Sequence, residues 1–179
     1  VEAWVKPATA AQTQTLLAKT SGGDVNYRIA TDAAGDIVFT VGDTAIEARP
    51  EASLADGQWA HVAAALYQGQ LELTVTVQDD TDTWQTYANT TRLSGPIPRD
   101  NGPFTLGDAT FAGAMDEVRV WSAHRHPQDI AALRSQALTG DEAGLVAYYP
   151  FDDGGTTVED FTDRNDWAVA GIRANTDGD

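Results

Sequence analysis

The sequence predicts an all-β protein, a β-sandwich or closed jelly roll that carries one short helix. Apolar and polar residues alternate along most of the chain, without a break in residues 71–77, which indicates strands with one buried and one solvated face. Glycine, proline and aspartate punctuate the chain at short intervals. Many short strands separated by regular turns are typical of sandwiches and jelly rolls, and a single segment departs from this pattern.

The expected strands begin at the first residue. Pro7 ends the first of them, because proline cannot donate to a strand ladder. Gln68-Gly69-Gln70 joins two long strands as a hairpin. The expected strands are residues 1–5, 16–20, 27–31, 37–41, 45–49, 59–67, 71–77, 84–91, 104–106, 111–121, 146–151 and 167–172.

The one helix is expected between Pro127 and Leu138. Proline occupies its first position, where the missing N–H costs nothing, and Asp129 lies in the first turn. Ile130 and Leu133 share one face, and Gly140 follows the segment. The sequence therefore predicts a short amphipathic helix that packs on a β body.

Composition limits the classes of function. The chain has 179 residues, which suits a single domain over residues 1–179. Its 27 acidic and 11 basic side chains give a net charge of −16, which argues against nucleic acid as a partner because phosphates would be repelled. The same charge favours a hard cation with oxygen ligands, such as calcium. Cysteine is absent, which excludes disulfides and thiol chemistry, and no stretch is apolar enough to span a membrane.

Four sequence segments, which we call phrases, occur in a characteristic order along the chain. They are residues 1–7, 56–63, 111–121 and 144–152, and the expected helix lies between the last two. Together they resemble the laminin-G-like (concanavalin A-like) jelly-roll family of bacterial extracellular proteins, over residues 1 to about 166. The resemblance implies a jelly-roll fold, an extracellular location (secreted or at the cell surface), and neighbouring domains in the same parent chain.

The sequence departs from that family at both ends. Members usually carry a strand or two before the first phrase, so we expect a fragment of a longer extracellular protein. Residues 167–172 are expected to cover the resulting sheet edge, because open edges are a liability, and the residues after them form a tail.

Asp116 is the first candidate for metal binding. Regular alternation would place it on the same side of its strand as Val118 and Val120, where an aspartate is costly unless it is paired or bound to a cation. In related jelly-roll glucanases a similarly placed aspartate contributes to a structural calcium site, and the resemblance implies that role here. The alternative is that Asp116 caps a turn or pairs with an arginine of a neighbouring strand.

The loop of residues 160–166 is the second candidate. Asp160, Asp163 and Asn165 supply oxygen ligands of the kind that calcium prefers. Asp and Asn also favour Asx turns without any ion, so a solvated loop is an equal alternative. The predicted metal ligands are therefore Asp116, Asp160, Asp163 and Asn165, and the predicted cofactor is calcium.

Three aromatic residues beside polar loops are candidates for ligand binding. Trp84 and Tyr87 follow an acidic turn, and Trp167 follows the 160–166 loop. Exposed aromatic rings offer an apolar platform to a sugar ring. The alternative is burial in the sandwich, which is the interpretation we favour for Trp4, Trp59 and Trp121.

Catalytic motifs are not evident. The Glu-x-Asp-x-x-Glu strand motif of jelly-roll glucanases does not occur, and neither does a Gly-x-Ser-x-Gly elbow or a His-Glu-x-x-His zinc motif. His124 and His126 lack an obvious third ligand, so we assign them to the turn that leads into the helix, and His61 to a structural role. We therefore expect that the chain is not an enzyme.

These observations predict a non-catalytic, calcium-binding carbohydrate-binding or adhesion module of a larger extracellular protein. Its expected partner is a glycan or an extracellular protein. The first alternative is a polysaccharide hydrolase or lyase of the same fold. The second is a structural spacer in a multidomain surface protein.

Overall fold

The structure is a computed structural model that describes residues 1–21, 24–47, 52–96, 102–152 and 158–162. Within these ranges the chain forms eleven strands and one helix. They are β1 (Glu2–Pro7), β2 (Gln14–Ser21), β3 (Asp24–Thr31), β4 (Ile37–Val41), β5 (Thr44–Glu47), β6 (Ala60–Tyr67), β7 (Gln70–Gln78), β8 (Trp84–Arg92), β9 (Phe104–Leu106), β10 (Gly113–Trp121), α1 (Pro127–Leu133) and β11 (Leu145–Tyr149).

The strands form two antiparallel sheets that pack face to face. The six-stranded sheet has the order β11-β10-β1-β6-β7-β8, and the five-stranded sheet has the order β5-β4-β3-β2-β9. In both sheets strands that are distant in sequence lie side by side, as β1 does between β10 and β6. The predicted all-β jelly-roll sandwich is confirmed.

Alternation along β7 shows how the core is built. Leu71, Leu73 and Val75 are all buried and point toward the five-stranded sheet. The residues between them, such as Glu72, point to the opposite side of the sheet. We call the side that meets the five-stranded sheet the inner face of the six-stranded sheet, and the other side its outer face. The inner face is held by apolar burial, as the sequence pattern predicts.

A β-bulge interrupts the alternation in β10. Glu2 pairs with Arg119 but Trp4 pairs with Asp116, so two residues of β10 oppose the single residue Ala3. Glu117 has a φ of 50°, in the left-handed region that non-glycine residues rarely adopt. The extra residue reverses which face each later side chain points to.

The bulge corrects one expectation about Asp116. Met115, Val118 and Val120 all contact the core between the sheets, whereas Asp116 lies opposite Trp4 on the outer face. The prediction that Asp116 shares a face with the two valines is therefore wrong, because it assumed unbroken alternation.

The helix begins at Pro127 as expected and ends at Leu133, before the predicted limit. It lies over the outer face of the six-stranded sheet. The backbone after its last turn is held by the sheet, since the Trp4 indole donates to the carbonyl of Arg134 at 2.7 Å. Long side chains of the sheet thus satisfy carbonyls that a helix end leaves open.

Several predicted features lie outside the described residues. These are the strand of residues 167–172 and the side chains of Asp163, Asn165 and Trp167. Within the described ranges, no helix has the length and apolar character needed to cross a lipid bilayer.

Candidate functional site

A polar cluster is buried beneath α1 on the outer face of the six-stranded sheet. His61 Nε2 lies 3.3 Å from Glu2 Oε2, and Arg119 Nη1 lies 3.9 Å from Glu2 Oε1. The Trp121 indole donates to Glu2 Oε1 at 2.8 Å. Glu2, His61 and Arg119 are almost fully buried, which charged groups tolerate only with partners. We call Glu2, His61, Glu117 and Arg119 the clamp cluster.

Arg119 connects the clamp cluster to the helix. Its guanidinium donates to the carbonyls of Leu133, at 2.9 Å, and Gln136, at 2.6 Å. It also forms an ion pair with Glu117, which in turn accepts a hydrogen bond from the Tyr148 hydroxyl at 2.6 Å. Burial and the Glu117 carboxylate raise the pKa of Tyr148, so this hydroxyl stays protonated as a donor. The cluster therefore fixes the position of α1 on the sheet.

The pKa values of the clamp cluster fit this structural role. Burial lowers the pKa of His61, and the hydrogen bond and charge of Glu2 offset only part of that effect. Burial alone would raise the pKa of Glu2, but His61, Arg119 and Trp121 outweigh it and hold that pKa below its usual range. Glu2 is thus a committed ion-pair partner, unavailable as a proton donor near neutral pH.

A cavity of about 1020 Å³ opens beside the clamp cluster. Its outer part lies between α1 and strands β6 and β7, and we call this part the outer groove. Ala63 and Ala65, on the outer face of β6, are too small to fill the space and leave room above the sheet. The outer groove is lined by Ala63, Ala65, Tyr67, Glu72, Thr74, Trp121, His124, Arg125, Pro127 and Ile130. The inner part of the cavity reaches between the sheets.

A histidine–carboxylate pair lies in the outer groove. His124 Nε2 is 2.8 Å from Glu72 Oε2. The His124 ring stacks on the ring of Tyr67 at 3.9 Å with an interplanar angle of 15°, and Tyr67 is 40% exposed. A carboxylate only accepts hydrogen bonds, so Nε2 is the donor in this contact, and in the neutral form of the ring the lone pair lies at Nδ1. The pair can therefore act as an oriented general base.

The sequence alone does not reveal this pair. His124 is expected in the turn before the helix, and Glu72, which lies 52 residues away in sequence, belongs to no recognisable motif. Alternation does predict that Glu72 faces away from the core, because it lies between Leu71 and Leu73. Nothing in the sequence indicates which loop approaches that face.

The structure separates the predicted ligand-binding residues. Trp84 lies on the outer face, 38% exposed, with its ring 5.1 Å from that of Trp4 in an edge-on arrangement. Tyr87 is partly buried and packs against the core between the sheets. Residues three apart on a strand point to opposite faces, so Trp84 and Tyr87 do not form one platform. Trp4 and Trp121, both expected in the core, belong to the outer face instead.

The predicted metal ligands do not converge within the described residues. No three Asp, Glu or His side chains in those ranges are placed to share an ion. Asp116 Oδ1 already accepts the backbone N–H of Glu117 at 2.9 Å. The side chains that the structure describes therefore do not by themselves form a calcium shell around Asp116. With Asp163 and Asn165 outside those ranges, calcium binding stays a prediction.

Asp160 holds the chain after β11. Its Oδ1 accepts from the backbone N–H groups of Tyr148 and Thr162, each at 3.0 Å, and from the Thr162 hydroxyl at 2.8 Å. Oδ2 is buried without a hydrogen-bond partner among the described residues. This carboxylate thus has a structural role that the sequence did not predict, and its role as a metal ligand stays a prediction.

Comparison with known proteins identifies the superfamily to which this fold belongs. A family model described as the Concanavalin A-like lectin/glucanases superfamily matches residues 1–131. The chain belongs to this superfamily. Three of the four phrases that suggested the resemblance, around Trp4, Trp59 and Trp121, lie within the matched range, and the fourth, residues 144–152, lies beyond it. A search of curated protein sequences found no significant match.

A solved structure of similar fold is the enzymatically active domain of tailspike protein 2 of bacteriophage CBA120. It matches with a TM-score of 0.55 and 18% sequence identity, over 82% of this concanavalin A-like chain and 25% of the tailspike chain. The chain thus spans about a quarter of that protein's length. At this identity the likeness shows the fold alone.

This neighbour corrects one expectation. The prediction that the chain is not an enzyme is wrong, because the solved domain of the same fold is titled an enzymatically active domain. The absence of a linear glucanase motif was too weak a ground, since a catalytic pair can be assembled from distant residues.

Proposed function

We propose that this concanavalin A-like domain is glycan-active: it binds a polysaccharide in the outer groove, and His124 exchanges a proton during cleavage of the bound chain. The observation that carries this proposal is the 2.8 Å contact between His124 and Glu72, both of which line the cavity. The proposal favours the hydrolase or lyase alternative over a purely adhesive or spacer role.

The chemistry of the outer groove suits a sugar ring. Tyr67 and Trp121 supply aromatic surface, and sugar rings bind by packing their C–H faces on such rings. The Arg125 guanidinium lies 4.3 Å from the Trp121 ring centroid, which holds that ring in place. Ala63 and Ala65 leave space for the bound sugar. The fold family supports the same ligand class.

Hydrolysis fits the charge of the protein better than elimination does. Elimination requires a substrate with a carboxylate, such as a polyuronate, and a protein of net charge −16 repels polyanions. In hydrolysis, water attacks the anomeric carbon and loses a proton to His124 Nδ1. The glycosidic C–O bond breaks, and the departing oxygen takes a proton from solvent.

One feature distinguishes this groove from typical glycosidase sites, which place two carboxylates across the scissile bond. Glu2 and Glu72 are the described carboxylates that line the cavity, and Glu2 is held in the clamp cluster. We therefore assign proton transfer to His124 and its orientation to Glu72. General-base catalysis of this kind contributes roughly 10²–10⁴-fold in rate.

The test is a panel of polysaccharides with products identified by mass spectrometry. We expect cleavage of a neutral glycan such as glucan, xylan or mannan, and a loss of at least about 100-fold in His124→Gln. Glu72→Gln should show a smaller loss. Glu47→Gln, which alters an exposed carboxylate of the other sheet, serves as the matched control; His126 does not, because its ring packs edge-on against His124 at 5.0 Å. Cleavage that survives His124→Gln, or a complete absence of binding and cleavage across the panel, would overturn the proposal.

The setting of the domain follows from the same proposal. A domain that acts on polysaccharides meets them outside the cell, so we propose a secreted or surface-attached parent chain. We also propose that calcium binds through Asp116 and stabilises the domain. It does not take part in the proposed proton transfer.

A further inference from the structure

We propose that the outer surface of β8 extends the outer groove into a binding ledge for a neutral oligosaccharide, with Trp84 at its far end. This inference rests on the proposed glycan activity and adds a second subsite to it. We call Trp84, Thr86, Ala88 and Thr90 the β8 ledge.

Strand register gives the ledge its direction. Glu72 pairs with Thr90, and Gln78 pairs with Trp84. These two pairs lie six residues apart along β7, a distance of about 20 Å at the rise of an extended strand. The ledge therefore runs from the His124–Glu72 pair to the Trp84 ring. This distance exceeds the length of one sugar ring, so a ligand that spans it must be an extended oligosaccharide.

One wall bounds the ledge. Thr74 and Thr76 of β7, which share the outer face, are 8% and 1% exposed, so the layer over this face covers β7. Their partners on β8, Ala88 and Thr86, are exposed. Thr76 and Thr86 join the two strands through a 2.9 Å hydroxyl contact. The Trp84 ring reaches back over β7 toward Trp4 of β1, so it belongs to that layer and closes the far end of an uncovered strip along β8.

The composition of β8 indicates the class of ligand. Its nine residues, Trp84–Arg92, include no Asp or Glu, although the chain has 27 acidic residues. The ledge presents threonine hydroxyls, a methyl group and an indole, which match the hydroxyls and C–H faces of a neutral sugar. The edge-on contact with Trp4 fixes the Trp84 ring before any ligand binds, so little side-chain entropy is lost on binding.

A second copy of the chain is the competing occupant, since β8 is an edge strand of the six-stranded sheet. Two contacts tie this edge to the other sheet. Asn89 donates to the carbonyl of Glu47 at 2.9 Å, and the Ser94 backbone donates to the Thr44 hydroxyl at 2.9 Å. These contacts occupy the inner side of the edge and leave the ledge open, which favours a ligand that lies on the face over a strand that joins the edge.

The experiment measures affinity against oligosaccharide length. Calorimetry would use di-, tetra- and hexasaccharides of the gluco, xylo and manno series. We expect the hexasaccharide to bind at least about tenfold more tightly than the disaccharide, and Trp84→Ala to remove that gain while disaccharide affinity stays unchanged. Trp84→Phe should keep most of the gain. Phe161→Ala, which removes a ring that is 56% exposed elsewhere, is the matched control.

A second variant tests the path between the two subsites. Ala88→Lys places a long side chain across the ledge on an edge strand that tolerates lysine, and it should weaken hexasaccharide binding only. Length-independent affinity, or an unchanged gain in Trp84→Ala, would overturn the ledge and leave the proposed function standing. Self-association that Trp84→Ala abolishes would assign this surface to a second copy and also overturn it. A failure of every length to bind would count against the proposed function itself.

Discussion

His61 and Val62 are neighbours on β6, and each is only 1% exposed, yet opposite principles keep them buried. Val62 points to the inner face and packs among apolar side chains. His61 points to the outer face and depends on Glu2 and on the Trp4 ring that packs edge-on against it. Burial by itself therefore does not reveal what holds a face together. The inner face tolerates many apolar combinations, whereas the outer face requires particular partners.

The two faces also have different tasks: the inner face stabilises the domain, and the outer face positions α1. Apolar packing on the inner face holds the two sheets together without specifying fine geometry. The clamp cluster uses directed hydrogen bonds to set where α1 lies, and α1 forms one wall of the outer groove. We infer that damage to the inner face weakens the whole domain, while damage to the clamp cluster also displaces the groove.

The largest expected effect comes from Arg119→Met. This change leaves the buried Glu2 and the partly buried Glu117 without their positive partner, and breaking a buried pair in this way costs about 3–5 kcal/mol of unfolding free energy. Urea unfolding of the two proteins measures it. Arg92→Met, at an exposed position on β8, is the control and should change stability by less than about 0.5 kcal/mol. A loss below 1 kcal/mol for Arg119→Met would mean that the clamp cluster is dispensable.

Leu73→Ala tests the inner face through the same measurement, the free energy of unfolding in urea. Leu73 is 1% exposed, and its truncation leaves a cavity, so we expect a loss of about 3 kcal/mol. Unlike Arg119→Met, it should leave the affinity of the outer groove unchanged in conditions where the protein is folded. If both variants lose affinity equally, the proposed separation between the two faces is wrong.

The pH dependence of stability isolates His61. Its folded pKa lies below the ordinary value of 6.5, so the unfolded chain takes up this proton more readily. The stabilising contribution is complete above about pH 6.5 and is lost as pH falls through the folded pKa, by at most about 1.4 kcal/mol per pH unit. Over the same window the contribution of Glu2 stays constant, because its pKa is held below its usual range.

His61→Gln should flatten the change in urea midpoint between pH 7.5 and 5.5 relative to the unchanged protein. Comparing the two slopes at matched ionic strength removes the contribution of overall charge, which both proteins share. Parallel slopes would show that His61 titrates alike in the folded and unfolded chains.

Calcium should give the smallest effect. An ion that binds the folded state alone, at fivefold excess over its Kd, adds about 1 kcal/mol. Chelation at matched ionic strength should therefore lower Tm by a few degrees. Calcium should restore it, magnesium should restore it poorly, and Asp116→Asn should lack most of the response. A full response in Asp116→Asn would place the ion elsewhere on the molecule.

The sequence predicts the inner face well because that face follows a local rule. Alternation alone identifies Leu71, Leu73 and Val75 as core, and Pro127 marks the start of the helix. The same rule, applied with care, would have separated Trp84 from Tyr87, since they lie three residues apart. Local patterns are sufficient wherever burial is apolar and the strand is regular.

The outer face could not be predicted in this way. His61 is buried among Glu2 and the Trp4 ring, which come from another strand, and the His124–Glu72 pair joins residues from a loop and a distant strand. The bulge at Glu117 is equally hidden, because the sequence offers no glycine where the backbone adopts a positive φ. Each feature depends on tertiary contacts that decide the local conformation.

That bulge changes which alternate residues of β10 face the core. Before it, odd-numbered residues such as Met115 enter the core, and after it even-numbered residues such as Val118 do so. Had the alternation continued unshifted, the guanidinium of Arg119 would point between the sheets, where nothing could solvate it. Removing one residue here would therefore turn the second half of β10 inside out, a change that no side-chain substitution could reverse.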